Sequence, residues 1–246
     1  DDLLCLYMLT GGIPKYIGQL VEAGAVTRET IIEHATQPDS PFLGEGRELL
    51  VSEFGREHGT YFAILQLIAA GKNSQAEIDS IIGKNTGAYL NNLENEYSLV
   101  RRNRPLFASP QSRKTRWSID DNYLRWWFRF IYPRQTVVEM GRTDLLREFV
   151  ETGYEQYSGL VLEKYFREKL MTQERFTEVG SYWDNKGENE IDLIALNDLD
   201  RTALMAEVKR NPAKINLQTL ARKAETLRKE LAKYRMELRG LSLEDM

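Results

Sequence analysis

The amino-acid sequence predicts an α+β chain of more than one domain: a helical segment, a helical module closed by a β-hairpin, and an α/β domain on a small mixed sheet. Three observations predict it. The chain has 246 residues, enough for two domains. Apolar periodicity is helical up to Tyr97 and is followed by two short strand-like pieces. From residue 157 onward the pattern orders as α-β-β-β-α.

Apolar residues make up 42% of the chain and charged residues 28%, both within the globular range. A net charge of −4 gives no global attraction to nucleic acid or an anionic membrane, so such binding must come from a local patch. The single cysteine, Cys5, excludes an intramolecular disulfide and fits a reducing, cytoplasmic compartment. His34 and His58 read as ordinary surface or loop residues, and with one cysteine they cannot assemble a zinc site of Cys/His type. No apolar run approaches a membrane span, and no signal-peptide pattern opens the chain. The first residue is Asp1 rather than Met, which reads as a processed product or a fragment with more protein upstream.

Residues 1–57 read as helices and loops. TGGIPKYIGQL (10–20) holds a Gly-Gly turn and a Pro at a first helical position. It lacks the Gly-Lys-Ser/Thr of a phosphate-binding loop, and Gly71-Lys72 and Gly83-Lys84 are each followed by Asn, so the chain alone is not expected to bind ATP. Residues 58–133 begin with three short helices: YFAILQLIAA (61–70), a helix opened by the capping box of Ser74 and Glu77, and NTGAYLNNLENEYSLV (85–100). Strand-like SLVRRNRPLF (98–107) and KTRWSID (114–120) follow, joined by turn-forming ASPQSR. Three helices and a hairpin are the order of a winged helix-turn-helix. Arg101, Arg102, Arg104, Arg113, Lys114 and Arg116 cluster there without an acid among them, as a phosphate-tracking wing would require. A solvated hairpin, or one docked on a neighbouring domain, explains the same charges, and Glu94 and Glu96 on the third helix oppose DNA. The aromatic stripe DNYLRWWFRFIYP (121–133) reads as core, closed by Pro133. A connecting helix is expected over 134–153, ending near Gly153.

The last domain, 154–246, starts with an amphipathic helix, YSGLVLEKYFREKL (157–170), that carries Glu163 beside its apolar stripe. Strand-like RFTEVGSYW (175–183), the polar turn DNKGENE (184–190), and strands EIDLIAL (190–196) and TALMAEVKR (202–210) come next, the last two joined by the hairpin loop NDLDR. A final long helix is expected from about Asn216 to Arg239. Asp192 and Glu207 stand in strands that otherwise read as buried, and a lone buried carboxylate is costly. Strand alternation puts Glu207 and Lys209 on one face. A structural salt bridge, solvent-reaching strand ends, and a Mg²⁺ site of Asp192, Glu207 and the preceding Glu163 all remain open.

Asp192, fourteen intervening residues, and Glu207-Val208-Lys209 resemble the Asp-x(n)-Glu-x-Lys pattern of the PD-(D/E)XK nuclease superfamily, with Ile191 where a Pro would precede the Asp. TGGIPKYI, the three-helix-and-wing segment, DNYLRWWFRFIYP and GLVLEKYF…YWDNKGENEIDLIA…AEVKR together look like the C-terminal half of a family of archaeal and bacterial AAA/STAND-type ATPases. The resemblance covers nearly the whole chain. It implies that 1–57 is the helical lid remnant of an ATPase domain, with ATP bound only through residues upstream, and that Glu163, Asp192, Glu207 and Lys209 hold the nuclease motif positions. It further implies Mg²⁺ or Mn²⁺ on Asp192, Glu207 and the Val208 carbonyl, and phosphodiester hydrolysis of DNA. A silent nuclease fold that binds DNA or protein is the rival. A third reading is a homo-oligomer seam of Leu217, Leu220, Ala224, Leu227, Leu231, Tyr234 and Leu238.

Overall fold

The computed structural model describes residues 1–55, 58–109, 111, 112, 114–184 and 188–246. It divides into two compact units, 1–103 with 115–155, and 104–114 with 156–246.

In the first unit, α1 (Asp2–Thr10) ends at Gly11, whose φ of 58° is the left-handed cap that glycine adopts without strain. Pro14 then opens α2 (Pro14–Glu22), as its missing N–H allows. Thr27 caps α3 (Arg28–Thr36), and Pro41 opens α4 (Pro41–Phe54). The expected three helices follow as α5 (His58–Ala69), α6 (Gln75–Ile82) and α7 (Gly87–Asn95), and the Ser74–Glu77 capping box is formed. The hairpin strands β1 (Val100–Asn103) and β2 (Arg116–Ile119) pair antiparallel from Val100↔Ile119 to Asn103↔Arg116. They are shorter than the sequence suggests. Pro105 has no N–H to continue a ladder. The next residue, Leu106, donates its N–H to the Ser181 carbonyl at 2.9 Å within the second unit.

The aromatic stripe is core, as expected. Tyr123, Trp126, Trp127 and Phe128 are all buried; Tyr123 Oη accepts the Gly46 N–H at 2.8 Å, and Trp127 Nε1 donates to the Leu43 carbonyl at 2.9 Å. Its backbone differs from a plain helix: α8 (Asn122–Trp126) passes into a π-helical turn, Trp127–Ile131, and a 3₁₀ turn, Tyr132–Arg134. Pro133 does not close the helical run: its fixed φ suits the first turn of the 3₁₀ piece, Arg134 Nη1 takes the Arg129 carbonyl that it cannot serve, and α9 (Gln135–Glu139) follows at once.

Gly153 does not end a connecting helix either. α10 runs unbroken from Thr143 to Gln173, joining the predicted 134–153 and 157–170 helices, and the unit boundary falls inside it. Glycine is needed at 153 for close approach, since a Cβ there would lie 2.6 Å from Phe130 Cε1.

The second unit holds a four-stranded mixed sheet. β3 (Glu178–Trp183), β4 (Glu190–Asn197) and β5 (Thr202–Val208) are consecutive antiparallel neighbours, and the β4–β5 loop is the expected hairpin, closing at Asn197↔Thr202. In the DNKGENE turn, 185–187 lie outside the described residues.

The predicted final helix is corrected. α11 spans only Leu217–Glu225, turns carry the chain through 226–234, and β6 (Arg235–Leu241) lies parallel to β5 from Thr202↔Arg235 to Val208↔Leu241. Apart from Leu217, which is exposed, the leucine stripe is therefore intramolecular: Leu220, Ala224, Leu227 and Leu231 pack with Leu106, Ile191, Ile194, Leu196, Ala203 and Met205, while Tyr234 and Leu238 lie against this cluster. Ten buried side chains over one sheet face account for a spacing that also suits a helical seam.

Candidate functional site

The β4–β5 ladder stops at Leu193↔Ala206. Beyond it, Glu190 and Ile191 pair only with β3, and Glu207 and Val208 only with β6, so the two central strands part at this end. A β-bulge accompanies the parting: two steps along β3, from Tyr182 to Gly180, match three along β4, from Ile191 to Ile194. The extra residue falls at Asp192–Leu193, and a bulge of this kind re-aims a side chain. Asp192 reaches into the gap, where its Oδ2 accepts the Val208 N–H at 2.9 Å in place of a strand carbonyl.

Lys209 completes the cluster. Its Nζ donates to Asp192 Oδ2 at 3.1 Å and to the Val208 carbonyl at 3.0 Å, and lies 3.7 Å from Glu207 Oε1. Glu207 Oε2 accepts the N–H of Asn216, the N-cap of α11, at 2.6 Å. The Asp192 and Glu207 side chains are only 16% and 14% exposed, whereas Lys209 is 36% exposed, so the carboxylates are largely shielded while the ammonium keeps a face to water. All three groups predicted to ligate a cation thus face one cationic nitrogen.

Glu163, on α10, is half-buried and electrostatically coupled to the same cluster. Burial, then the charge of Asp192, push its carboxyl up to about 7, against the opposing pull of Arg167 and Lys209. For Lys209 burial works against the ammonium, but Asp192, Glu207 and Glu163 outweigh it and raise its pKa. Four neighbours of this site went unnoticed in the sequence: Arg167, Glu190, Asn216 and Lys223, whose Nζ donates to the Glu190 carbonyl at 2.8 Å. Two had a local signal, for Arg167 lies one helical turn from Glu163 and Glu190 two strand residues from Asp192. The other two come from beyond β5, and no local spacing announces them.

The predicted DNA-binding cations behave differently. Arg101 makes a two-nitrogen contact with Asp120 Oδ2 at 3.2 and 2.9 Å. Arg102 pairs with Glu94 Oε2 at 3.1 Å and sits 4.6 Å over the Trp117 ring. Arg116 closes the β-ladder opposite Asn103, and Arg104 and Lys114 belong to the second unit. Arg113 lies outside the described residues.

Among the described residues no group of three or more His, Cys, Asp or Glu side chains is placed to hold a metal ion. The donors facing Lys209 Nζ are two carboxylates and one peptide carbonyl, hard oxygens of the kind Mg²⁺ takes, so the donor chemistry fits.

Residues 127–223 match the model of the DUF234 family, described as archaea bacterial proteins of unknown function. That segment contains Glu163, Asp192, Glu207, Val208 and Lys209, but not the hairpin. The chain is also 34% identical over 219 residues to the uncharacterized protein MJECL04 of Methanocaldococcus jannaschii, covering 85% of this chain and 48% of that one. The chain thus spans about half the length of this relative. No solved structure matches. No described helix is long and apolar enough to cross a membrane.

Proposed function

We propose that this chain is the winged-helix and PD-(D/E)XK nuclease-like portion of an AAA-type ATP-binding protein, and that its second unit hydrolyses phosphodiester bonds in DNA. The observation that carries this reading is the convergence of Asp192 Oδ2, Glu207 Oε1 and the Val208 carbonyl on one cationic centre at the splayed end of β4 and β5. Those oxygens would hold Mg²⁺ or Mn²⁺, which when bound supplies Lewis-acid polarisation of the scissile phosphate. Lys209, its pKa raised, stays an ammonium, a group suited to offsetting phosphate charge rather than to taking a proton from water. Glu163, pushed up to about 7, is the better-matched proton carrier of the two. Residues 1–57 would then be the lid remnant, and any ATP would bind outside this chain.

A second reading is favoured by one observation: Arg101 and Arg102 are engaged by Asp120 and Glu94, as in a module that docks rather than cleaves. Supercoiled-plasmid and single-strand cleavage with Mg²⁺ or Mn²⁺ decides between them. Wild-type protein should cut and Asp192→Ala and Lys209→Ala should not; equal activity in all three removes the nuclease reading. Calorimetry with Mn²⁺ separates a metal-binding site from a silent fold.

A further inference from the structure

The first unit contains a cation-lined cavity that the nuclease reading does not use. It measures about 350 Å³ and lies beside the π-helical turn, lined by Gln66, Arg129, Arg134, Phe149 and Thr152 among others. None of the described residues lining it is acidic.

Arg134 is the centre of this site. It is half-buried, its Nη1 donates to the carbonyls of Arg129 and Phe130 at 3.4 and 3.2 Å, and its guanidinium lies 4.2 Å over the Phe149 ring. These partners are neutral or aromatic and cancel no charge. Burial, and then the positive charge of Arg129, hold Arg134 below the usual arginine value. A charge partly withdrawn from water without a counter-charge carries a cost. An anion in the cavity would remove that cost.

A purely structural role explains part of the arrangement. Pro133 has no N–H to offer the Arg129 carbonyl four residues earlier, and Arg134 caps it. Capping these two carbonyls needs a donor but not a fixed positive charge, and it does not explain an acid-free lining. The lining residues carry a guanidinium, a carboxamide and a hydroxyl, donors that suit a tetrahedral oxyanion. π-helical turns are rare and often lie at functional sites. The volume falls at the small end of ligand cavities, enough for a phosphate and what it is attached to.

We propose that this cavity binds a phosphate group, carried by a mononucleotide or by the backbone of a nucleic-acid strand. Pyrophosphate is the probe, titrated calorimetrically into the intact chain in EDTA, so that the result does not depend on whether the second unit holds metal or cleaves. Wild type should bind one equivalent. Gln66→Glu, which adds an acid to the lining while leaving the Arg134 carbonyl contacts in place, should weaken binding about tenfold or more at unchanged melting temperature. Arg134→Lys, which keeps the charge but loses the fork, should weaken it less. Competition identifies the source: displacement by AMP assigns a mononucleotide, and displacement by oligothymidylate alone assigns a strand. Absent binding, equal affinity in wild type and Gln66→Glu, or pyrophosphate displaced by neither competitor overturns the proposal.

Discussion

The hairpin β1–β2 and the parted end of β4–β5 both place basic side chains beside acids, yet they solve the electrostatics differently. In the hairpin, Arg101 meets Asp120 in a pair open to water, and Arg102 meets Glu94 in a half-buried one, each cation with its own carboxylate. In the sheet, Asp192 and Glu207 share Lys209, Glu163 adds a third carboxyl to the same field, and Val208 contributes both its N–H and its carbonyl. One-to-one pairing at a surface leaves little to drive further chemistry. Crowding shielded acids around a single ammonium does, because in low dielectric the excess negative charge must be met by a proton or a cation. Glu163 rises to about 7 through its own burial first and the charge of Asp192 second, so it holds a proton in that field.

The comparison can be broken hardest from beneath. Leu227 is 1% exposed in the cluster under the sheet, so Leu227→Asp should cost more than about 4 kcal/mol and unfold the second unit, followed by chemical denaturation. A folded monomer instead would return the leucine stripe to a subunit seam. Removing the central acid comes next: Asp192→Ala should lower Mg²⁺-dependent plasmid nicking by about 10³-fold, as loss of a group that organises transition-state charge does.

Glu163→Gln sharpens the comparison through pH. With its folded pKa above the ordinary value, the folded protein holds this proton more tightly than the unfolded chain. Its contribution is present below about 4.5 and is lost as pH rises through about 7, a change of about 3 kcal/mol in the metal-free protein. Denaturation midpoints across that window should slope for wild type and flatten for the Gln variant; identical slopes would mean that neither burial nor Asp192 raises the Glu163 carboxyl. The smallest effect belongs to the hairpin, where Arg101→Ala should change stability by less than about 1 kcal/mol, because its partner remains hydrated. A larger loss would show that the Arg101–Asp120 pair is not an independent surface contact.

Much of the frame was legible because it rests on local rules. The Ser74–Glu77 box, Pro14 at a helix start, the NDLDR hairpin and the apolar β4 and β5 all read correctly from a few neighbouring residues. The end of the chain did not. Leu227 and Leu231 continue the spacing of Leu220 and Ala224 through turns, so one apolar period hides a helix, a crossover and an edge strand. β6 reads RMELRGL, charged and with little β-branching, and its only partner is the distant parallel β5. Gly153 misled for a related reason: a glycine that admits Phe130 looks the same in sequence as one that stops a helix.

By itself, then, the sequence determined the α+β order, the paired acids and the face shared by Glu207 and Lys209, because alternation and helical period are properties of neighbouring residues. Only the tertiary structure decided that β4 bulges at Asp192, that its carboxylate takes the Val208 N–H, and that Asn216 and the charges of Arg167 and Glu190 meet the same cluster. Those outcomes depend on strand register and on segments brought together across long stretches of chain, and a bulge is written in pairing rather than in any residue.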